Sequence, residues 1–253
     1  MSKVLIIGGG AAGMMAAVAA GENGHEVWLY EKNDRLGRKL FITGKGRCNI
    51  TNAGDMETLF ASVMSNPKFL YSSFYTFTND QVIDFFEELG VRTKIERGNR
   101  VFPLSDHSSD VIAGLKRKLE TLGVHICLET EVEKIEERDG KFQAIVLKGG
   151  QRKTGDACIV ATGGISYPAT GSTGDGYRFA KENGHQITKL YPALVPMEVR
   201  EWYAKELQGL SLRNVSAAVY DGKKKLYEDF GEMSFYPLRS QRTLMLSASS
   251  VSR

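Results

Sequence analysis

Disulfide chemistry has little to work with in this chain. Its 253 residues hold three cysteines, Cys48, Cys127 and Cys158, far apart and in no C-x-x-C pair. An odd count at wide spacing fits reduced thiols rather than a secreted disulfide framework, and the expected location is cytoplasmic. No run of eighteen uncharged apolar residues occurs, so no membrane partner is expected. The apolar start "MSKVLIIGGGAAGMM" is broken by glycines, which argues against a targeting segment. One-sided charge is also missing. Thirty-three basic residues face thirty acidic ones, for a net charge of +3, and no long Lys/Arg run occurs, so no nucleic-acid partner is expected. No Ser-His-Asp set, metal-ligand cluster or carboxylate pair is visible. His25, His107, His125 and His185 stand in loop or strand positions without evident partners, so catalytic residues are left unassigned and no metal is expected.

Glycine, by contrast, is plentiful and clustered. "IIGGGAAGMMAA" opens the chain, and "ATGGISYPATGSTGDGY", residues 161 to 177, carries five glycines in seventeen residues. Glycine allows backbone angles and close approaches that a side chain forbids, at a cost in entropy. Two such clusters predict two places where the backbone lies against a ligand.

In the first cluster Gly8, Gly10 and Gly13 form G-x-G-x-x-G, after a strand-like "KVLII" and before an Ala-rich helix over 11–22. Glu31 follows at the end of the strand-like "EVWLYE". In a β-α-β unit of this kind the glycines permit the tight turn, the approach of pyrophosphate and the packing of helix on strand. The helix N-terminus favours phosphate, and the acid accepts ribose hydroxyls. The acid also disfavours a 2′-phosphate. This fingerprint alone does not separate FAD from NAD. Residues 34–54 read as a long functional loop, and its cations Arg35, Arg38, Lys39, Lys45 and Arg47 suit a ligand extending beyond the first nucleotide. Cys48 within that loop reads as packing beside the ligand rather than as a redox thiol.

Further on, Asn79 and Ser109 read as helix caps, with Gly90 and Gly123 as stops. Residues 124–164 alternate strand-like runs with turns at Asp139-Gly140 and Gly149-Gly150, as a small antiparallel meander returning to the main sheet through "ACIVATGG". A helix is expected near 174–184. Strands then dominate, including "ALVPMEV" and a hairpin at Asp221-Gly222 that accounts for the basic "GKKK" at 222–225. The expected organisation is a Rossmann-type α/β domain over 1–190 and a β-rich domain over 191–253.

The segments "GRKLFITGKGRCNITN", "RVFPLSDHSSDV", "ATGGISYPATGSTGDGY" and "PALVPM…LQGLSLRNV" together resemble the BaiN/RdsA-like NAD(P)/FAD-dependent oxidoreductases, some of which are labelled aminoacetone oxidase-like. The resemblance covers roughly residues 1 to 233. It implies an FAD-binding Rossmann-type domain interrupted by an inserted β-rich domain. It further implies hydride transfer between the flavin and a small organic substrate, with NADH or NADPH as a candidate reductant. The implied cofactor contacts are Gly8, Gly10, Ala11, Ala12, Gly13, Glu31 and Lys32 at the adenosine end. Arg38, Lys39, Gly46, Arg47, Cys48 and Asn49 run towards the flavin. Val132 meets the adenine through its backbone, Ala161, Thr162, Gly163 and Gly164 lie against the dinucleotide, and Asp175 in "TGDG" shapes the cavity. Tyr167 is a candidate to face the substrate. The alternatives are a non-catalytic flavin or nucleotide binder, and an inactive fragment of the enzyme.

Two further expectations concern the end of the chain. The resemblance implies a return to the FAD domain after the inserted one, so the inserted domain is expected to be partial, with unpaired edges. In "EMSFYPLRSQRTLMLSASS" the flanks resemble the family pattern "EM-LFTHFGVSGP-L-LSAS" but residues 234–243 do not. One coding for them, TCT TTT TAC CCA CTT CGG AGT CAG CGG ACC, read one base later gives Leu-Phe-Thr-His-Phe-Gly-Val-Ser-Gly-Pro. A base gained before Ser234 and one lost near Thr243 would explain this, and poor packing is expected over that stretch.

Overall fold

The first strand, β1 (Lys3–Ile7), sends alternate side chains into two layers. Val4 and Ile6 enter one apolar cluster, and Leu5 and Ile7 enter another on the opposite face of the sheet. Successive strand residues point to opposite faces, so a continuous apolar run marks a strand covered on both sides. The next helix, α1 (Ala11–Glu22), buries Gly13, Met14, Ala17 and Val18. Its small side chains let it approach the sheet closely. A methyl group on Gly13 would lie 1.8 Å from the Gly8 carbonyl oxygen, so only glycine permits this crossing. Strand β2 (Glu26–Tyr30) pairs in parallel with β1, from Lys3 opposite Glu26 to Ile7 opposite Tyr30. Each fully buried Leu or Val of these strands contributes about 1.5–3 kcal/mol. In this computed structural model the described residues are 1–198, 201–236, 239–241, 246, 248 and 249.

The expected loop over 34–54 contains more structure than its composition implies. Helix α2 (Arg38–Ile42) and a short strand, β3 (Thr51–Asn52), lie within it. The helix starts after Gly37, which adopts a left-handed φ of 70° and packs against Ile112. Helices α3 (Met56–Ala61) and α4 (Tyr71–Thr76) follow. Helix α5 (Asn79–Glu88) is capped by Thr78 rather than Asn79. Its hydroxyl accepts the Gln81 N–H while the Gln81 side chain accepts the Thr78 N–H, a capping box. The Asn79 amide instead donates to the carbonyls of Asn52 and Gly54. Strands β4 (Thr93–Glu96) and β5 (Arg100–Pro103) join β3 in a small antiparallel sheet of order β3-β5-β4. Helix α6 (Ser108–Thr121) has His107, not Ser109, at its N-cap. The stops at Gly90 and Gly123 both take positive φ, as expected.

Strand β6 (His125–Cys127) was expected in the meander but pairs in parallel with β2 at the edge of the main sheet. The meander itself is β7 (Val132–Arg138), β8 (Lys141–Leu147) and β9 (Arg152–Thr154). Strand β10 (Ala157–Val160) then returns to pair in parallel with β1, giving the order β10-β1-β2-β6. Helix α7 (Asp175–Glu182) buries Phe179 in the cluster shared with Leu5, Ile7, Tyr30 and Val132. One face of the main sheet is thus covered by α1 and α6, and the other by the meander and α7. This is an α/β fold built on a Rossmann-type parallel sheet.

Met1–Leu59 and Lys68–Ile187 form one compact unit, and Phe60–Pro67 with Thr188–Arg253 a second. In the second, β11 (Met197–Glu198) and α8 (Tyr203–Glu206) precede a long hairpin of β12 (Ser211–Asp221) and β13 (Lys224–Tyr236), and β14 (Arg239–Gln241) completes a sheet of order β11-β14-β13-β12. Among the described residues of "ALVPMEV", Met197–Glu198 is strand, and Val199 lies outside them. The expected poor packing over 234–243 does not hold at its start. Ser234 is buried because β13 continues through it, and its hydroxyl lies 2.9 Å from that of Ser211 on the paired strand. Pro237, Leu238, Arg242 and Thr243 lie outside the described residues.

Candidate functional site

The carboxyl ends of β1, β2 and β10 open onto one cavity of about 510 Å³. Crevices at strand carboxyl ends are where open α/β sheets bind ligands. Both glycine clusters line it. Gly8, Gly10, Ala11 and Ala12 come from the first, and Ala161, Thr162, Gly163 and Gly171 from the second. Val132, at the start of β7, and Asp175, at the start of α7, line it as well.

Helix α1 presents its N-terminus here. Gly10 is its N-cap, no side chain caps it, and its first turn carries no acid. The leading N–H groups of a helix have no intrahelical acceptor and carry positive potential. A methyl group on Gly10 would meet no atom within 4 Å, so the backbone here is open to close approach. The chemistry of this end suits an anion such as a pyrophosphate.

Glu31 is 7% exposed and held by three N–H donors. Its Oε2 accepts the Gly9 N–H at 2.7 Å. Its Oε1 accepts the Asn33 N–H at 2.8 Å and the Asn33 Nδ2 at 2.6 Å. Three expected cations reach the cavity wall. Lys32 Nζ lies 2.7 Å from both Asp175 Oδ2 and Thr173 Oγ1. Arg38 Nη1 donates to Asn33 Oδ1 at 2.8 Å, and Lys39 Nζ to Ser166 Oγ at 3.2 Å. Burial raises the Asp175 pKa, but the hydrogen bonds from Lys32 and Thr173 and the charges of Lys32 and Arg178 outweigh it, leaving the carboxyl below the usual aspartate range. Two buried polar atoms without partners, Tyr30 Oη and Thr162 Oγ1, belong to residues of this wall. Burial, with a smaller contribution from Cys127, pushes the Tyr30 hydroxyl up to about 12.

Other expected residues stand apart from the cavity wall. Gly13 lies behind it, packed on Gly8. Gly164 packs near the Tyr177 hydroxyl. Gly46 sits in a turn after α2. Arg47 is drawn elsewhere, pairing with Glu96 at 2.9 Å and Asp106 at 3.2 Å and stacking over Phe102 at 4.1 Å. Cys48 is buried in the core beneath α1 and α6, and burial pushes its thiol up. Asn49 and Tyr167 are exposed. None of the four histidines lines the cavity. Conversely, Gly9 and Asn33 line it without having been expected. The fingerprint treats Gly9 as a free position, and an asparagine after a strand reads as an ordinary turn residue, so neither carried a signal.

Residues 2–234 match the family description "HI0933-like protein Rossmann domain". That match ends at the first residue of the stretch whose sequence departs from the family pattern. Among curated proteins, the chain is similar to a 3-dehydro-bile acid delta(4,6)-reductase of Clostridium scindens, at 34% identity over 92% of this chain and 56% of that protein. It is also similar to a ribosomal RNA dihydrouridine synthase of Haemophilus influenzae, at 31% identity over 83% of this chain and 53% of that protein. The chain therefore spans about half the length of these relatives. Among solved structures, the Sdh1 complex of Mycobacterium smegmatis in its apo form shares the fold at a TM-score of 0.56 and 21% identity, over 72% of this chain and 39% of that one. A flavocytochrome c3 fumarate reductase in its open conformation does so at a TM-score of 0.53 and 20% identity, over 84% and 47%. The fingerprint on β1–α1–β2, the second glycine segment closing on the same cavity and the match over residues 2–234 give one result: the chain belongs to the HI0933-like Rossmann-domain family.

Proposed function

We propose that this chain carries the FAD site of an oxidoreductase that moves a hydride between the flavin and an unsaturated organic substrate, with NADH or NADPH as reductant. One observation carries the reading: the uncapped N-terminus of α1, the buried Glu31 and both glycine clusters share a single cavity. The residues fit the cofactor. Gly10, Ala11 and Ala12 would hold the pyrophosphate, Glu31 a ribose hydroxyl, and Val132 the adenine through its backbone. Lys32, Arg38 and Lys39 would add positive charge, while Ala161, Thr162 and Gly163 would lie along the dinucleotide. Bound flavin supplies the hydride chemistry, and the protein's part is to bind, orient and exclude water. Gly46, Arg47, Cys48 and Asn49 stay in the proposal as a segment approaching the flavin end, outside the cavity described above. Residues 1–190 are proposed as the FAD domain and 191–253 as part of an inserted domain. Three unpaired thiols are in keeping with a cytoplasmic location. No helix among the described residues is long and apolar enough to cross a membrane.

The substrate class follows from what the relatives' names share. A delta(4,6)-reductase and a dihydrouridine synthase are both named for saturating carbon–carbon double bonds. A small conjugated carbonyl compound is the preferred substrate here. A uridine within RNA is the second reading, favoured by the Haemophilus influenzae relative and by another of the same name from Escherichia coli at 30% identity. That similarity weighs against the expectation, drawn from net charge, of no nucleic-acid partner. Extraction of the cofactor, followed by anaerobic reduction with NADH and NADPH and reoxidation by a conjugated enone or a uridine-bearing RNA, tests the proposal. Flavin release and reoxidation by the enone support it. Reoxidation by RNA alone would favour the second reading, and absence of FAD would overturn both.

A further inference from the structure

Resting on the reading of this cavity as a dinucleotide site, we propose that Asn33 is a positioning residue that presets the Glu31 carboxylate and fastens the second glycine segment to the same wall. Its half-buried side chain touches three separate parts of the cavity. The amide nitrogen donates to Glu31 Oε1 at 2.6 Å and to the Thr170 carbonyl at 3.2 Å. The amide oxygen accepts from Arg38 Nη1 at 2.8 Å. An asparagine amide has two donors, and both are used. The opposite orientation of the amide would face its oxygen to a carboxylate and its nitrogen to a guanidinium, so the network allows one orientation only. The second glycine segment is shaped around this group, since a methyl group on Gly171 would lie 2.5 Å from Asn33 Nδ2.

Acceptor accounting sharpens the role. An ionised carboxylate offers about four acceptor positions, two on each oxygen. Oε1 is filled by two donors, both from Asn33, and Oε2 has one from Gly9. One position is left, on Oε2. Glu31 held this way takes one ribose hydroxyl rather than two, and Asn33 decides which oxygen is left to take it. Without the Asn33 side chain, Oε1 would keep only the backbone N–H of residue 33, and the carboxylate could turn away from the ligand. Asn33 therefore acts through Glu31 rather than on the ligand.

A double-mutant cycle on FAD binding separates this role from a merely structural one, because a residue acting through another loses its effect when that partner is gone. Ligand-free protein is titrated with FAD for the wild type, Glu31→Ala, Asn33→Ala and the double variant, with a thermal melt of each. Asn33→Ala is expected to weaken FAD about tenfold or more in the wild-type background, the scale of one lost charge-assisted hydrogen bond, and much less once Glu31 is alanine. Asn33→Asp keeps the acceptor for Arg38 but donates nothing and sets a second carboxylate against Glu31. It is expected to weaken FAD at least as much, and it carries the same cycle if the alanine variant does not fold. Equal losses in both backgrounds would overturn the role of Asn33 while leaving the FAD site standing. No FAD binding by the wild type would overturn the dinucleotide reading, and this inference with it.

Discussion

The two glycine clusters line the same cavity but are built under different constraints. In the first, glycine is required by backbone meeting backbone: a methyl group on Gly13 would collide with the Gly8 carbonyl, and one on Gly8 would lie 2.5 Å from the Ala161 carbonyl oxygen. In the second, the nearest atoms are the ends of side chains, the Asn33 amide beside Gly171 and the Ser172 hydroxyl 2.9 Å from a methyl group on Gly163. The first cluster fixes where helix and strand cross, and the second is a loop folded against side chains already in position. Of the glycines in the two clusters, only Gly10 keeps open space in the direction a side chain would take, and it lines the cavity.

The largest effect is expected at Gly13. Gly13→Ala should lower stability by about 3 kcal/mol or more, because no side-chain adjustment can clear a backbone oxygen, and urea unfolding reads it. A loss below about 1 kcal/mol would mean that the two backbones can separate freely. Gly171→Ala should cost less, about 1–2 kcal/mol, from a left-handed φ of 100° and a neighbour that can swing away. The same variant should weaken FAD by displacing Asn33, so a change in stability without one in binding would uncouple the second cluster from the cavity.

The smallest effect is expected where a side-chain pair ties the two walls together. The Asp175 carboxyl titrates below its ordinary value in the folded chain, so its ionised form favours folding. That contribution is complete above about pH 4, the range of an unperturbed aspartate, and fades as pH falls through the lower folded value. Asp175→Asn should cost about 1 kcal/mol or less at neutral pH and reduce the loss of stability on acidification. Melts of both proteins from neutral to acidic pH measure it. Identical pH profiles would show that the pair with Lys32 contributes nothing to holding the walls.

How much of this was readable in advance depends on whether the cause is local. The unit β1–α1–β2 is legible because glycine spacing, apolar alternation and an acid at a strand end each follow from neighbours in the chain. Helix α2 was hidden in a basic, glycine-rich stretch, since its position depends on Gly37 packing against Ile112 from a distant helix. Thr78 was passed over as a cap for Asn79 because both types cap helices, and the choice is made by carbonyls of Asn52 and Gly54 that claim the asparagine. Arg47 and Arg38 look alike in sequence. Glu96 and Asp106 engage the first away from the cavity, while Asn33 holds the second beside it. A larger residue at Gly163 would press on Ser172 within its own loop, whereas one at Gly10 would project into the cavity. Resequencing the gene would decide whether residues 234–243 arise from compensating frame changes, and a shifted frame that does not spell the family pattern would end that idea.

FAD titration of the wild type and of Gly10→Val asks whether the cavity in front of α1 holds the dinucleotide. Gly10 has φ of −79° in extended backbone and open space around a Cβ, so valine fits the fold while filling the cavity in front of α1. The wild type is expected to bind FAD, and the variant to melt within a few degrees of it while FAD binding is lost. Equal FAD affinity in the two proteins, or no binding by the wild type, would contradict that reading of the cavity.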